Sequence, residues 1–390
     1  MGRSILFLFS EPLIGAGGVG RVTESLAEEL LGLGYRCEFV SLNPEKTRDY
    51  HAIMQRYLPL ANPRDRRTRK ALRDLIIQER IDVVINQSGL NPPVLSLAKS
   101  VSDLVPVLSV HHNCLSGLLD HHQSILKHNL VSRGVPEEVL WNSVLRFLRW
   151  RSARRYVKAI TLATVGNDHL VMLSKAFVRE AQQLAPLAEK AKVHSIANPA
   201  PFAAEPKALK TKKQRVLYVG RLENAQKRLD RLLDAWSQIE RRLPDWSLDI
   251  IGDGPDAEFA RVYARNLERV CFIGAADPQE YYRQSNILLL TSDFEGFGMV
   301  LVEAQAHGCV PVTTNSFSSI TEIVIPDETG IVCENSEPGT ISEAVLTLAS
   351  EPENWKRMAM NGLRHIEAFD PRDIASKWVD LIEAAVENKK

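Results

Sequence analysis

The chain of 390 residues balances 48 Lys and Arg against 48 Asp and Glu, with 45% of its residues hydrophobic and 25% charged. This length exceeds what one hydrophobic core usually holds, so two domains are expected. A neutral chain without a basic reading motif argues against a nucleic-acid partner, and the five cysteines, Cys37, Cys114, Cys271, Cys309 and Cys333, form no Cys-x-x-Cys pair. That pattern speaks against a zinc centre or a disulfide framework and fits a reducing cytoplasm.

In chain order, Ile5–Phe9 is too short for the apolar part of a secretory leader and reads as a first strand. A glycine turn, Gly15-Ala16-Gly17-Gly18-Val19-Gly20, leads into a helix over Val22–Leu31. Strands are then predicted at Cys37–Ser41, Val83–Asn86, Val105–Val110, Ala159–Val165 and Val193–Ile196. Asn198–Gln214, with three prolines and a lysine-rich end, is the predicted linker. A second series follows at Val216–Val219, Ser247–Ile251, Val270–Ile273, Ile287–Leu290, Val310–Thr313 and Gly330–Cys333, and a helix over Ile374–Val386 follows Asp370-Pro371. Short strands alternating with longer helical stretches are the pattern of parallel α/β architecture. No apolar run approaches the roughly 18–20 residues of a membrane-spanning helix.

Charge is distributed unevenly: residues 1–200 hold 26 Lys and Arg against 18 Asp and Glu, and the rest holds 22 against 30. Part of the excess lies in Leu140–Lys158, which carries Trp141, Phe147, Trp150 and Tyr156 among its arginines; a second basic cluster spans Arg64–Arg73. A basic amphipathic helix of this kind either lies on anionic lipid or packs with a solvated basic rim.

The glycine turn formally matches Gly-x-Gly-x-x-Gly, but Ser10–Ile14 separate it from its strand, and the second strand ends Val40-Ser41-Leu42-Asn43 without an acid. A dinucleotide fingerprint needs both features, so an NAD site is disfavoured. Val107–Val110 ends in His111 and His112, at the strand end where ligands gather in open α/β sheets. A neutral imidazole there suits a sugar hydroxyl, and His111 is the better placed. His121 and His122 raise the question of a metal cluster, which the scarcity of nearby carboxylates argues against.

The second half holds the sharpest pattern. Ser292-Asp293-Phe294-Glu295-Gly296-Phe297-Gly298 follows an apolar strand and opens a helix that carries Glu303, eight residues after Glu295. Strand, glycine turn and helix start bring unpaired N–H groups to one point. Upstream, Val216–Val219 ends in Gly220-Arg221, and Lys227 follows six residues later. Two cations at such a turn suit a departing diphosphate; each alone is equally an ordinary surface charge.

Taken together, Gly220-Arg221, Lys227, Glu295-x7-Glu303, Ile250-Ile251-Gly252-Asp253-Gly254-Pro255 and the Gly17-Gly18 turn resemble the retaining GT-B glycosyltransferases of family 4 over nearly the whole chain. The resemblance implies an α/β fold of two Rossmann-like domains facing each other across a cleft. Residues 1–200 would form the acceptor-side domain, 201–370 the nucleotide-sugar domain, and 371–390 a helix crossing back to the first. It implies transfer of a hexose from a nucleoside-diphosphate sugar, UDP-linked, to a hydroxyl of a glycan or glycolipid in lipopolysaccharide, capsule or other surface polysaccharide synthesis. His111, Arg221, Lys227 and Glu295 would be catalytic. Gly17, Gly18, Gly252, Ala275, Phe297, Gly298, Met299, Val300 and Glu303 would bind the nucleotide sugar. No metal or other cofactor is implied. The expected location is cytoplasmic, peripheral on the inner face of the membrane. A non-catalytic GT-B partner subunit and a nucleotide-sugar epimerase are the alternative readings.

Overall fold

The computed structural model describes residues 2–10, 17–42, 54–57, 62–117, 119 and 144–389. The chain divides into two compact units: Met1–Pro199 together with Pro371–Lys390, and Ala200–Asp370.

The first unit is built on a parallel seven-stranded sheet of β1 (Ser4–Phe9), β2 (Arg36–Ser41), β3 (Met54–Tyr57), β4 (Val83–Asn86), β5 (Val107–His111), β6 (His169–Met172) and β7 (Val193–Ser195). Its order is β3-β2-β1-β4-β5-β6-β7. Every residue of β1 is buried, which explains its unbroken apolar sequence: a central parallel strand has helices on both faces. Leu6, Leu8, Val40, Val84 and Val107 pack against Leu72, Ile76, Val94 and Leu97 of the helices Arg66–Gln78 and Pro92–Lys99. The helix Pro371–Glu387 also belongs here: Glu383 accepts hydrogen bonds from Arg3 at 3.0 Å and from the Tyr35 hydroxyl at 2.9 Å.

The second unit repeats the plan with β8 (Lys213–Val219), β9 (Ser247–Ile251), β10 (Val270–Gly274), β11 (Ser285–Leu290), β12 (Val310–Thr314) and β13 (Ile331–Cys333), in the order β10-β9-β8-β11-β12-β13. Leu229, Leu232, Leu233, Trp236 and Ile239 recur at helical spacing along Leu229–Ile239 and enter one core with Val216, Leu248 and Ile287. In both sheets the strand order reverses between the unit's first and fourth strands, β1/β4 and β8/β11. In open α/β sheets such a reversal, at the carboxyl ends of the strands, is where ligands bind.

One predicted strand is corrected. Ala159–Val165 is not extended; most of it is the end of the helix Val144–Ala163, and the strand is β6 further on. Its β-branched residues suggested a strand, yet Thr161 and Thr164 each donate their hydroxyl to the carbonyl four residues back, and Ala159, Ile160 and Ala163 are buried on the inner side. β3 was not predicted. Trp141, Asp120, His121, His122, Gly15 and Ala16 lie outside the described residues.

Candidate active site

At the β8/β11 reversal, two loops 65 to 68 residues apart in sequence are laced together. After β8, Gly220 and Arg221 lead to a single helical turn, Asn224–Lys227, and Arg228 then takes a left-handed conformation, φ 52°, before Leu229–Ile239 begins. Lys227 therefore closes a short helix of its own rather than heading the longer one. Arg228 is pinned in this unfavourable conformation by Asp230 at 3.0 Å and Asp293 at 3.2 Å, and the Asp230 hydrogen bond helps hold its guanidinium charged. Arg231 donates to Asp293 at 2.8 Å and to the Thr291 carbonyl at 2.7 Å, and the Asp293 N–H donates to the Gln226 carbonyl at 2.9 Å.

This lacing brings Lys227 and Glu295 together. The Lys227 ammonium donates to Glu295 Oε1 at 2.6 Å, and the Ser292 hydroxyl donates to the same oxygen at 2.6 Å. Glu295 is only 7% exposed. A cation and a second donor on one oxygen fix the orientation of this buried carboxylate. Arg221 stands apart: its side chain is 67% exposed and lies 3.4 Å from Glu223.

The neighbouring strand ends are joined through backbone. Gly220 N–H donates to the Ile251 carbonyl at 3.0 Å, and Gly252 N–H to the Gly274 carbonyl at 2.9 Å. Gly252 has φ 139°, and a Cβ on it would fall 1.8 Å from the Gly220 carbonyl oxygen, so no other residue fits. Ala275 follows β10 and is exposed on the same edge. Past Glu295, Phe297 is buried edge-on against Phe369, and Gly298, at φ 71°, caps the helix Met299–Ala306. The first turn, with Met299 and Val300 half-buried, leaves N–H groups without helical partners. Glu303 sits in the second turn, 2% exposed, and accepts the Tyr282 hydroxyl at 2.8 Å.

In the first unit, a cavity of about 420 Å³ opens at the ends of β4 and β5, lined by Gln87, Ser88, Asn91, His111, His112 and Arg155 among others. Asn86 shapes it by donating to the Gly89 carbonyl and accepting from Ser88 N–H, both at 3.0 Å. His111 is the last residue of β5 rather than the residue after it, and its Nε2 is buried without a partner. His112 Nε2 lies 2.7 Å from Gln87 Oε1, while its Nδ1 has no partner. Burial pushes the His111 pKa down to about 4 and that of His112 to about 3, so both rings are neutral at pH 7. Gly17 begins the helix Gly17–Gly32, and a Cβ on Gly18 would meet nothing within 4 Å. Gly18 is therefore not demanded by packing. Among the described residues no three His, Cys, Asp or Glu side chains gather as a metal site would require.

Sequence reasoning did not single out Ser292 or Asp293 individually, and missed Tyr282 and the Asn86-Gln87-Ser88-Gly89 turn. The last carried a usable signal, a polar run directly after the apolar end of β4.

Two family descriptions match the chain: Glycosyltransferase Family 4 over residues 16–203 and Glycosyl transferases group 1 over residues 201–365. The chain is a GT-B glycosyltransferase. The transferase is 25% identical over 380 residues to an uncharacterized glycosyltransferase of Haemophilus influenzae, covering 94% of this chain and 96% of that one. It is 36% identical over 141 residues to the lipopolysaccharide 1,6-galactosyltransferase of Escherichia coli K12, a match covering 34% of this chain and 38% of that protein. Among solved structures, Anabaena Alr3699/HepE in complex with UDP-glucose superposes with a TM-score of 0.71 at 16% identity, over 98% of this chain and 99% of that one. That likeness establishes the fold.

Proposed function

We propose that the transferase moves a hexose from a UDP-sugar to a hydroxyl of a surface glycan with retention of anomeric configuration. The observation that carries this reading is the Lys227–Glu295 pair, 2.6 Å apart at the β8/β11 reversal. A cation and a hydrogen-bond acceptor held side by side suit the two halves of a nucleotide sugar, phosphate and hexose. In this assignment Lys227 and Arg221 neutralise the departing diphosphate, and the N–H groups of Phe297, Gly298, Met299 and Val300 add to that stabilisation. Glu295 accepts from the hexose hydroxyls. Gly252 and Ala275 line the base pocket. Glu303 accepts from the ribose as well as from Tyr282, since a carboxylate has acceptor positions for both.

In the first unit, Gly17, Gly18 and the neutral ring of His111 are assigned to sugar recognition. Neutrality matters, because an imidazole with a buried unpartnered nitrogen offers a hydrogen bond without attracting phosphate. No side chain here is assigned as a covalent nucleophile: attack proceeds on the face the diphosphate leaves, and the leaving phosphate oxygen takes the acceptor proton. The reading needs no metal, because cations and N–H groups supply the charge. The complexed neighbour and the lipopolysaccharide relative support the choice of UDP and of a glycan acceptor.

The test is thermal unfolding with UDP, GDP, ADP and NAD at matched concentrations. A ligand at about 100 times its Kd stabilises by about 2.7 kcal/mol. A shift with UDP alone is expected; a shift with NAD, or with none of the four, rejects the assignment.

A further inference from the structure

Glu303 is a carboxylate in apolar surroundings. Leu301, Val302, Ala304 and Ala306 of its helix are buried with it, and such a group is costly to bury unless it is hydrogen-bonded. The terminal torsion of a glutamate is soft, so one oxygen is placed firmly only when the other is held. The Tyr282 hydroxyl does the holding, 2.8 Å from Glu303 Oε2. Tyr282 is itself wholly buried, on the short helix Gln279–Gln284. A phenol has one proton to donate, and here it goes to Glu303.

The ring is fixed as firmly as the hydroxyl. His307, one turn after Glu303, stacks on Tyr282 with ring centres 5.8 Å apart and planes 16° from parallel. His307 Nδ1 lies 2.8 Å from the Glu303 carbonyl, which can only accept, so that nitrogen carries the proton. Phe202 packs edge-on against the same imidazole at 5.0 Å, and the Lys212 ammonium donates to the Tyr282 carbonyl at 2.9 Å. Hydroxyl, ring face and main chain of Tyr282 are each held by a different group.

From this we infer that Tyr282 is a positioning residue for ribose: by fixing Glu303 it makes the site select ribonucleotides over deoxyribonucleotides. The inference rests on the proposed role of Glu303 and deepens it. Packing alone would be served by phenylalanine; what tyrosine adds is a donor aimed at the carboxylate. A ribose presents two adjacent hydroxyls, and a carboxylate turned towards them accepts from both. With its torsion already locked, Glu303 loses little freedom when the nucleotide arrives.

The test is the affinity of the whole protein for UDP and for 2′,3′-dideoxy-UDP, which lacks both ribose hydroxyls, measured by titration calorimetry. The wild type should prefer UDP by about tenfold or more, the scale of a hydrogen bond to a charged acceptor. Tyr282→Phe keeps the ring and its stacking, so most of that preference should vanish through weaker UDP binding. Ile239→Val, a mild substitution in the core of the same unit, should keep the wild-type ratio. If Tyr282→Phe does not fold, His307→Leu withdraws the ring that backs Tyr282 and should lower the ratio in the same sense. An unchanged ratio in the folded variant, or an equal fall in Ile239→Val, overturns the inference. Glu303→Gln separates this from the donor assignment. A wild type that ignores UDP, or a ratio that Glu303→Gln leaves intact, removes the role of Glu303 and the inference with it. A ratio lowered by Glu303→Gln but not by Tyr282→Phe removes the inference alone.

Discussion

The two units share a strand order and differ in what fills the place where that order reverses. In the second unit that place is occupied by charge: Lys227 against Glu295, braced by Arg228, Arg231 and Asp293. In the first, a cavity beside it at the ends of β4 and β5 is lined by two neutral histidines with unpartnered nitrogens. One scaffold thus offers a braced ion pair in one unit and, in the other, a cavity with neutral imidazoles beside a single arginine. The fold fixes where ligands go, and the loops decide which chemistry they meet.

The largest expected effect tests the charged side of this contrast. Lys227→Ala should lower kcat for transfer by about a hundredfold or more, the usual scale for losing one donor that stabilises a developing anion. Turnover near wild type would remove Lys227 from the mechanism. Next, Gly252→Ala forces a Cβ into the Gly220 carbonyl and should destabilise by about 2–3 kcal/mol, read as a lower midpoint in thermal or urea unfolding.

The neutral side predicts a pH effect. His111 and His112 have folded pKa values near 4 and 3, below the ordinary value of 6.5. Between about pH 6.5 and 4 the unfolded chain binds protons that the folded chain refuses, so stability falls as pH drops through that window. His111→Gln should flatten this acid limb. An unchanged slope would mean that the ring is not buried neutral. The smallest effect is expected at Gly18→Ala, where the space is open: stability should stay within about 0.5 kcal/mol while affinity for the donor sugar falls. A clear loss of stability instead would return this glycine to a packing role.

The sheets were legible because central parallel strands carry unbroken apolar runs, as residues 5–9 of β1 and 287–290 of β11 do. The helix end at Ala159–Ala163 was misread because β-branched residues lean towards strand, while hydroxyl bonds to the preceding turn and burial of one side settle the matter in three dimensions. Lys227, Glu295 and the glycine turns could be picked out from spacing and residue type. The bracing of Lys227 by Gln226, Arg231 and Asp293 could not, since it depends on two strands becoming neighbours. Tyr282 on Glu303 and Gln87 on His112 are likewise products of topology, each joining segments that the sequence keeps more than twenty residues apart.

The helix Pro371–Glu387 bears on how the protein is made. It packs on the helix Gly17–Gly32 and ties Glu383 to Arg3 and Tyr35, yet it is translated after the whole of the second unit. On the ribosome the first unit therefore starts first and finishes last. The second unit, contiguous from Ala200 to Asp370, emerges complete and can fold while its predecessor still exposes an uncovered helix face. A chain stalled with residues up to 370, but not the last helix, clear of the ribosome should resist protease in its second unit and not in its first.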